Sequence, residues 1–145
     1  MEVLKEIEEI KQLKARYFRF LDSKNWNDLA DCLAHDVLFS YPPQEIKVEG
    51  RAALIENFKK RHAITQTAHT GSMPEIELID GNNAKGIWFM TDYIVTPLED
   101  GKTISQGFGH YFETYQKERS KWKIKTILLE RLIITQPDAA LINIQ

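Results

Sequence analysis

Apolar residues recur at Val3, Ile7, Ile10, Leu13 or Lys14, Tyr17 and Phe20 or Leu21, the spacing of one face of an α-helix. After the turn-forming segment D-S-K-N, the residues Trp26, Leu29, Ala30 and Leu33 repeat that period over a shorter span, which predicts a second helix folded back from the first. Asp36 to Tyr41 is rich in strand formers and stops at Pro42-Pro43, which have no N–H to give a ladder. A second short extended piece covers Ile46 to Val48, and Gly50 opens a third helical segment, with Leu54, Ile55 and Phe58 in register, running to about Ala63. The period then changes. Thr67 to Asp80, Asn83 to Leu98, Thr103 to Lys117 and Lys121 to Gln136 read as long strands, separated by D-G-N-N, E-D-G-K and E-R-S-K, all hairpin-turn compositions. Three helices followed by long strands predict an α+β fold, the helices packed on a strongly curved, mainly antiparallel sheet with room for a ligand between the layers. No repeat or linker divides residues 1–145, so a single domain is expected.

Composition narrows the partners. The chain is 43% hydrophobic and carries a net charge of −2 with the two signs interspersed, so no basic face suggests nucleic acid and no acidic block suggests disorder. A small molecule or another protein is the expected partner. No apolar run approaches the length of a membrane span, and the start M-E-V-L-K-E-I-E-E lacks the apolar core of a signal peptide, so a cytoplasmic protein without a membrane partner is expected. The lone cysteine, Cys32, excludes an internal disulfide and is expected as a packed thiol among Leu29 and Leu33.

A few polar residues interrupt this patterning. Asp22 falls in the last turn of the first helix, where the partial negative charge of the helix end disfavours an anion. It either holds a cation or proton, or forms with Ser23 the turn into the second helix, Asn25 acting as N-cap. His69 has small neighbours, Thr67 and Gly71, on its strand face; its ordinary pKa suits a general base if a carboxylate holds its other nitrogen, and a structural strand histidine is the alternative. Asp92 shares parity with Trp88 and Met90, so it is either a carboxyl on an apolar wall, needing a partner or a proton, or an exposed strand end. Tyr111, Glu113 and Tyr115 are expected inward, with Glu113 balanced by Arg16 or Arg19, leaving His110 on an outer, partly apolar face. Arg131 is either a surface neighbour of Glu130 or an inward cation. His35, His62 and His69 lack compact metal spacing, and there is no phosphate loop, nucleophile elbow or dinucleotide fingerprint.

With these residues assembled, the chain resembles the SnoaL-like branch of the NTF2-like superfamily from its first helix to about Thr135. The likeness rests on I-K-Q-L-K-A-R-Y-F-R-F-L-D-S-K-N-W, P-E-I-E-L, G-I-W-F-M-T-D and K-W-K-I-K. It is nearest to the bile-acid 7α-dehydratases, with scytalone dehydratase and hexachlorocyclohexane dehydrochlorinase more distant. The resemblance implies an NTF2-like cone and a cofactor-independent lyase, without a metal, that removes water from a hydrophobic hydroxylated polycyclic substrate such as a steroid or bile-acid derivative, free or as a coenzyme A thioester. It assigns His69 as base, Asp22 as the carboxylate orienting it, Tyr17 as pocket tyrosine, Asp92 as a second acid or base, and Tyr41 and Arg131 as substrate contacts; Trp88 and Met90 are expected to wall the pocket. A homotrimer is implied, a homodimer being the alternative. The sequence departs from the pattern in Ser72, where a second histidine is expected, in an inserted T-G-S-M segment and in an early C-terminus. The same residues would also serve a ketosteroid-type isomerase, or a non-catalytic binder of a small apolar ligand.

Overall fold

The computed structural model describes residues 2–135. Helices α1 (Glu2–Asp22), α2 (Trp26–Asp31) and α3 (Arg51–Arg61) pack against a sheet of β1 (Leu33–Tyr41), β2 (Ile46–Glu49), β3 (Gln66–Leu78), β4 (Asn83–Leu98), β5 (Gly101–Glu118) and β6 (Lys121–Thr135). The sheet order is β2-β1-β6-β5-β4-β3, and every neighbouring pair is antiparallel except β1 with β6. The fold is thus the expected α+β cone with a curved sheet, mixed by one parallel pair.

Several boundaries move for local reasons. Leu33 opens β1 instead of closing the second helix, because α2 ends at Asp31 and the Cys32 carbonyl accepts a sheet bond from Ile124 N–H, which pairs Leu33 with Ile124. The third helix stops at Arg61, short of Ala63. β3 stops at Leu78 because Asp80 turns inward on its own loop, accepting from Asn82 N–H and the Asn83 amide. β5 is longer than expected, spanning Gly101–Glu118. Gln136, expected to end the last strand, lies outside the described residues.

α1 carries its buried residues at Ile10, Leu13, Lys14, Tyr17, Phe18 and Leu21, one stripe at helical spacing with a lysine inside it. The helix ends in a Schellman motif: Asn25 N–H donates to Phe20 O, Lys24 N–H donates to Leu21 O, and Lys24 takes the left-handed conformation at φ 57°. That stop fixes Asp22 as the last helical residue and turns the chain straight into α2. On the sheet, Trp88, Met90, Tyr111, Glu113, Tyr115, Ile127 and Leu129 are buried against the helices. The parity expected for Tyr111, Glu113 and Tyr115 therefore holds. His110 lies opposite, its ring 5.7 Å from Phe89 and 6.2 Å from Phe112. In the T-G-S-M segment Thr70, Gly71 and Ser72 pair regularly with β4, and the register shifts only between Ser72 and Glu75, with Met73 at φ 46°. Cys32 is packed, and burial pushes its thiol up to about 11, which keeps it protonated. Among the described residues no helix is long and apolar enough to cross a membrane.

Candidate active site

Asp22 resolves the conflict of an anion at a helix C-terminus by collecting donors from β3. The Thr67 hydroxyl (2.9 Å) and His69 Nδ1 (2.6 Å) meet Oδ1, and the His69 backbone N–H (2.9 Å) meets Oδ2. Asn25 separately caps α2 by accepting from Asp28 N–H at 3.4 Å, so the turn and the carboxylate site are both real and are made by different residues. With Nδ1 donating to Asp22, a neutral His69 ring leaves Nε2 as the acceptor. Nε2 stands 4.0 Å from Asp92 Oδ2, and the histidine side chain is only 7% exposed. Phe18 stacks on this imidazole with centroids 6.0 Å apart and planes within 7°, and the ring of His62 approaches it at 6.2 Å and 81°. Gly71 permits this, since a Cβ there would come within 2.8 Å of the Phe18 ring and 3.2 Å of Trp88. Burial, and then the nearness of the His69 ring, push His62 down to about 4 and keep it neutral.

Asp92 is the carboxyl on an apolar wall, and it has a partner there. Arg131 grips it bidentately, Nη1 to Oδ1 at 3.0 Å and Nη2 to Oδ2 at 2.7 Å, and Asp92 is 2% exposed. Arg131 is therefore the inward cation, not the surface neighbour of Glu130. Burial works against its charge, but the hydrogen bonds and charge of Asp92 outweigh it and raise its pKa. The pair sits directly over Gly107, where any Cβ would collide with Arg131 Nη1 and Asp92 Oδ1. The Arg131 guanidinium also lies 5.7 Å from the Tyr41 ring centroid, which places Tyr41 beside the pair.

Tyr17 is buried at 2% exposure, and burial first, then the charges of Tyr111 and Glu113, push its phenol well above the usual value. It is thus a hydrogen-bond donor, not a phenolate. Met90 is fully buried between the Trp88 and Asp92 positions. Trp88 lies one inward position further along β4 from Asp92 than Met90 does. Its Nε1 donates to the Tyr115 hydroxyl at 2.8 Å, and its ring lines a crevice of about 210 Å³ with Lys14, Phe18 and Gly71. Trp88 therefore supports the wall from behind rather than joining the His69–Asp92 line.

One charge pairing requires correction. Glu113 is balanced by Lys14, with Nζ to Oε2 at 2.7 Å, and not by Arg16 or Arg19. Arg16 and Arg19 lie on the exposed face of α1, Arg19 over the ring of Phe20 at 4.5 Å, whereas Lys14 falls inside the buried stripe. Thr67, Phe18, Tyr111, His62 and Lys14 are the site neighbours that the sequence reading did not assign. For Lys14 a signal existed, since it occupies an apolar position of the helical period; for the others, apolar or strand patterning explains the residue equally well. Among the described residues no group of three or more His, Cys, Asp or Glu side chains is placed to hold a metal ion.

An imidazole held by one carboxylate and faced by a second thus sits between the end of α1 and the sheet. The SnoaL-like domain model matches residues 2–127, and the chain belongs to that family. Its sequence is 27% identical over 133 residues to probable cyclase FGR4 of Gibberella zeae, covering 85% of this chain and 89% of that protein. Among solved structures, a candidate scytalone dehydratase from Novosphingobium aromaticivorans superimposes with a TM-score of 0.82 at 24% identity, covering 91% of this chain and 87% of the other. The LinA-type3 hexachlorocyclohexane dehydrochlorinase from Novosphingobium barchaimii gives 0.76 at 16% identity, covering 92% and 90%. These two likenesses establish the shared fold.

Proposed function

We propose that the chain is a dehydratase: a cofactor-independent lyase that eliminates water from a hydrophobic, hydroxylated polycyclic substrate of the steroid or bile-acid kind. The observation that carries this reading is the 2.6 Å contact of His69 Nδ1 with Asp22, which leaves Nε2 as the acceptor beside Asp92. His69 Nε2 takes a proton from carbon, the C–H electron pair becomes the new double bond, and the C–O pair leaves with oxygen. The proton on Nε2 then passes to that oxygen, and water departs. Asp22 holds the imidazolium formed between the steps. Because both of its oxygens are engaged by Arg131, Asp92 serves as a fixed negative charge facing Nε2 rather than as the second acid or base first expected. Tyr17 and Tyr41 hydrogen-bond the departing oxygen, and Arg131 attracts an anionic group on the substrate. Support comes from the SnoaL-like family and from neighbours named for eliminations of water and of hydrogen chloride, and the resemblance of the sequence to bile-acid 7α-dehydratases suggests the substrate class.

The relative named as a cyclase favours a second reading, in which the same base opens an intramolecular ring closure. Incubation with a panel of hydroxysteroids, as free acids and as coenzyme A thioesters, tests both by mass spectrometry. Loss of one water from a panel member supports the dehydratase. Products of unchanged mass would replace it with an isomerase or cyclase, and binding without any product with a ligand-binding module.

Self-association is part of the proposal. The outer sheet face presents the half-buried Ile87, Phe89, Phe108 and Phe112, and Ile87 and Phe112 border an open groove of about 610 Å³. A homotrimer is the expected assembly and a homodimer the alternative; light scattering that gives a monomer at micromolar concentration would overturn both.

A further inference from the structure

Lys14 is fully buried, and within the described residues its only hydrogen-bond acceptor is Glu113. Glu113 is saturated in turn: Oε2 takes Lys14, and Oε1 takes the Tyr115 hydroxyl at 2.9 Å, which itself accepts from Trp88. A pair of this kind is costly to desolvate, and apolar residues of similar volume usually serve stability as well or better. Packing alone therefore gives little reason for a lysine inside the apolar stripe of α1. Its surroundings give one. The ammonium lies 4.2 Å from the ring centroid of Tyr17, 4.4 Å from that of Phe18 and 4.0 Å from that of Tyr111. Phe18 is the ring stacked on His69, Tyr17 is the phenol assigned to the departing oxygen, and Tyr111 packs on Phe18 at 5.8 Å.

We propose that Lys14 is a positioning residue of the site: its ammonium, anchored on Glu113, clamps Tyr17, Phe18 and Tyr111 into one rigid wall and strengthens the two phenols as hydrogen-bond donors. The physical basis is the attraction of a desolvated cation for the negative faces of aromatic rings, which draws electron density away from each hydroxyl. Through Phe18 the same clamp limits tilting of the His69 ring. The inference rests on the reading of Tyr17 as a donor to substrate, but its first test needs no substrate.

Burial lowers the Lys14 pKa and the charge and hydrogen bond of Glu113 oppose that shift, so in protein labelled with ¹⁵N at lysine Nζ and ¹³C at tyrosine Cζ the Lys14 resonance is expected to be an ammonium at pH 7, with its protons shielded by the three rings. The double variant Lys14→Met with Glu113→Gln removes both charges and leaves neither stranded, and Lys14→Arg keeps the cation. The Tyr17 and Tyr111 Cζ signals should shift in the double variant and stay near wild type in Lys14→Arg. With a substrate from the steroid panel, kcat should fall about tenfold in the double variant, on the scale of desolvated cation–π contacts, with KM unchanged, and Lys14→Arg should restore it. A neutral Lys14 amine, or tyrosine signals unmoved in the folded double variant, would overturn the proposal. Shifted signals with no substrate found in the panel would uphold the clamp and count against the dehydratase alone.

Discussion

Replacing Asp22 with Asn tests the core of the mechanism, because the structure dictates how the amide must sit. One side of the carboxylate, Oδ2, accepts only the His69 backbone N–H, and the other, Oδ1, faces both Thr67 Oγ1 and His69 Nδ1. If the asparagine oxygen took the Oδ1 side, its NH₂ would confront the backbone N–H, donor against donor. The opposite orientation satisfies every group: the oxygen accepts the backbone N–H, while the NH₂ donates to Nδ1 and to the Thr67 hydroxyl oxygen. Nδ1 then becomes an acceptor and the proton moves to Nε2, which removes the base. Turnover should fall by about 10²- to 10⁴-fold, the usual worth of a positioned general base, with KM little changed. The stability cost is small. Three charge-assisted bonds become neutral ones, each weaker by about 0.5–1 kcal/mol, while relief of the anion at the helix end returns about 0.3–1 kcal/mol. The net loss is about 0.5–3 kcal/mol, or a Tm lower by about 2–10 °C for a domain of this size. The assay is ¹⁵N NMR of the His69 ring alongside steady-state kinetics. An Nδ1-protonated ring in the Asn variant, or unchanged turnover on a confirmed substrate, would refute the reasoning.

Three further outcomes follow from single positions. Lys24→Gly should raise stability by about 0.5–1 kcal/mol in thermal denaturation and leave activity alone, because the left-handed conformation at Lys24 is one that glycine adopts freely. Gly107→Ala should force Arg131 and Asp92 apart, costing about 1–3 kcal/mol by overpacking and lowering turnover as well; an intact bidentate pair in a crystal structure of that variant would contradict it. His62 lies at about 4 in the folded chain against an ordinary 6.5, so the unfolded chain holds that proton more tightly. Stability should therefore rise with pH between those two values, by at most about 3 kcal/mol, and flatten above them; His62→Gln should remove that part of the slope in denaturant titrations.

The layers of the fold were legible because each long segment keeps one period: 3.6 along α1, 2 along β4 and β5. The boundaries were less so, since Leu33 fits the apolar period of the preceding helix as well as the strand that claims it, and only the Ile124 pairing across the sheet decides. At the site, the Asp22 and His69 positions could be singled out because a carboxylate at a helix end breaks a local rule. Their pairing followed only from the family resemblance and not from local patterning, because the three donors that hold Asp22 come from a strand more than forty residues away in the chain. The error over Glu113 has the same root. Arg16 and Arg19 were favoured on charge alone, whereas angular position on the helix excludes both and selects Lys14.

Lys14 and Asp22 together explain how α1 acquires a fixed position on the sheet. A purely apolar stripe slides and rolls at low cost, because hydrophobic contact is non-directional. Two polar pins on one stripe, eight residues or about 12 Å apart along the axis, remove both freedoms, since each has an obligatory partner on a different strand. Lys14 must meet Glu113 on β5, and Asp22 must meet Thr67 and His69 on β3. Between the pins lie Tyr17 and Phe18, the residues whose placement against His69 the chemistry needs. A shift of α1 by one residue would strand a buried ammonium, at a cost of several kcal/mol, and take the Asp22 carboxylate from its donors, so the geometry of the site is enforced by the same charges that make it unusual.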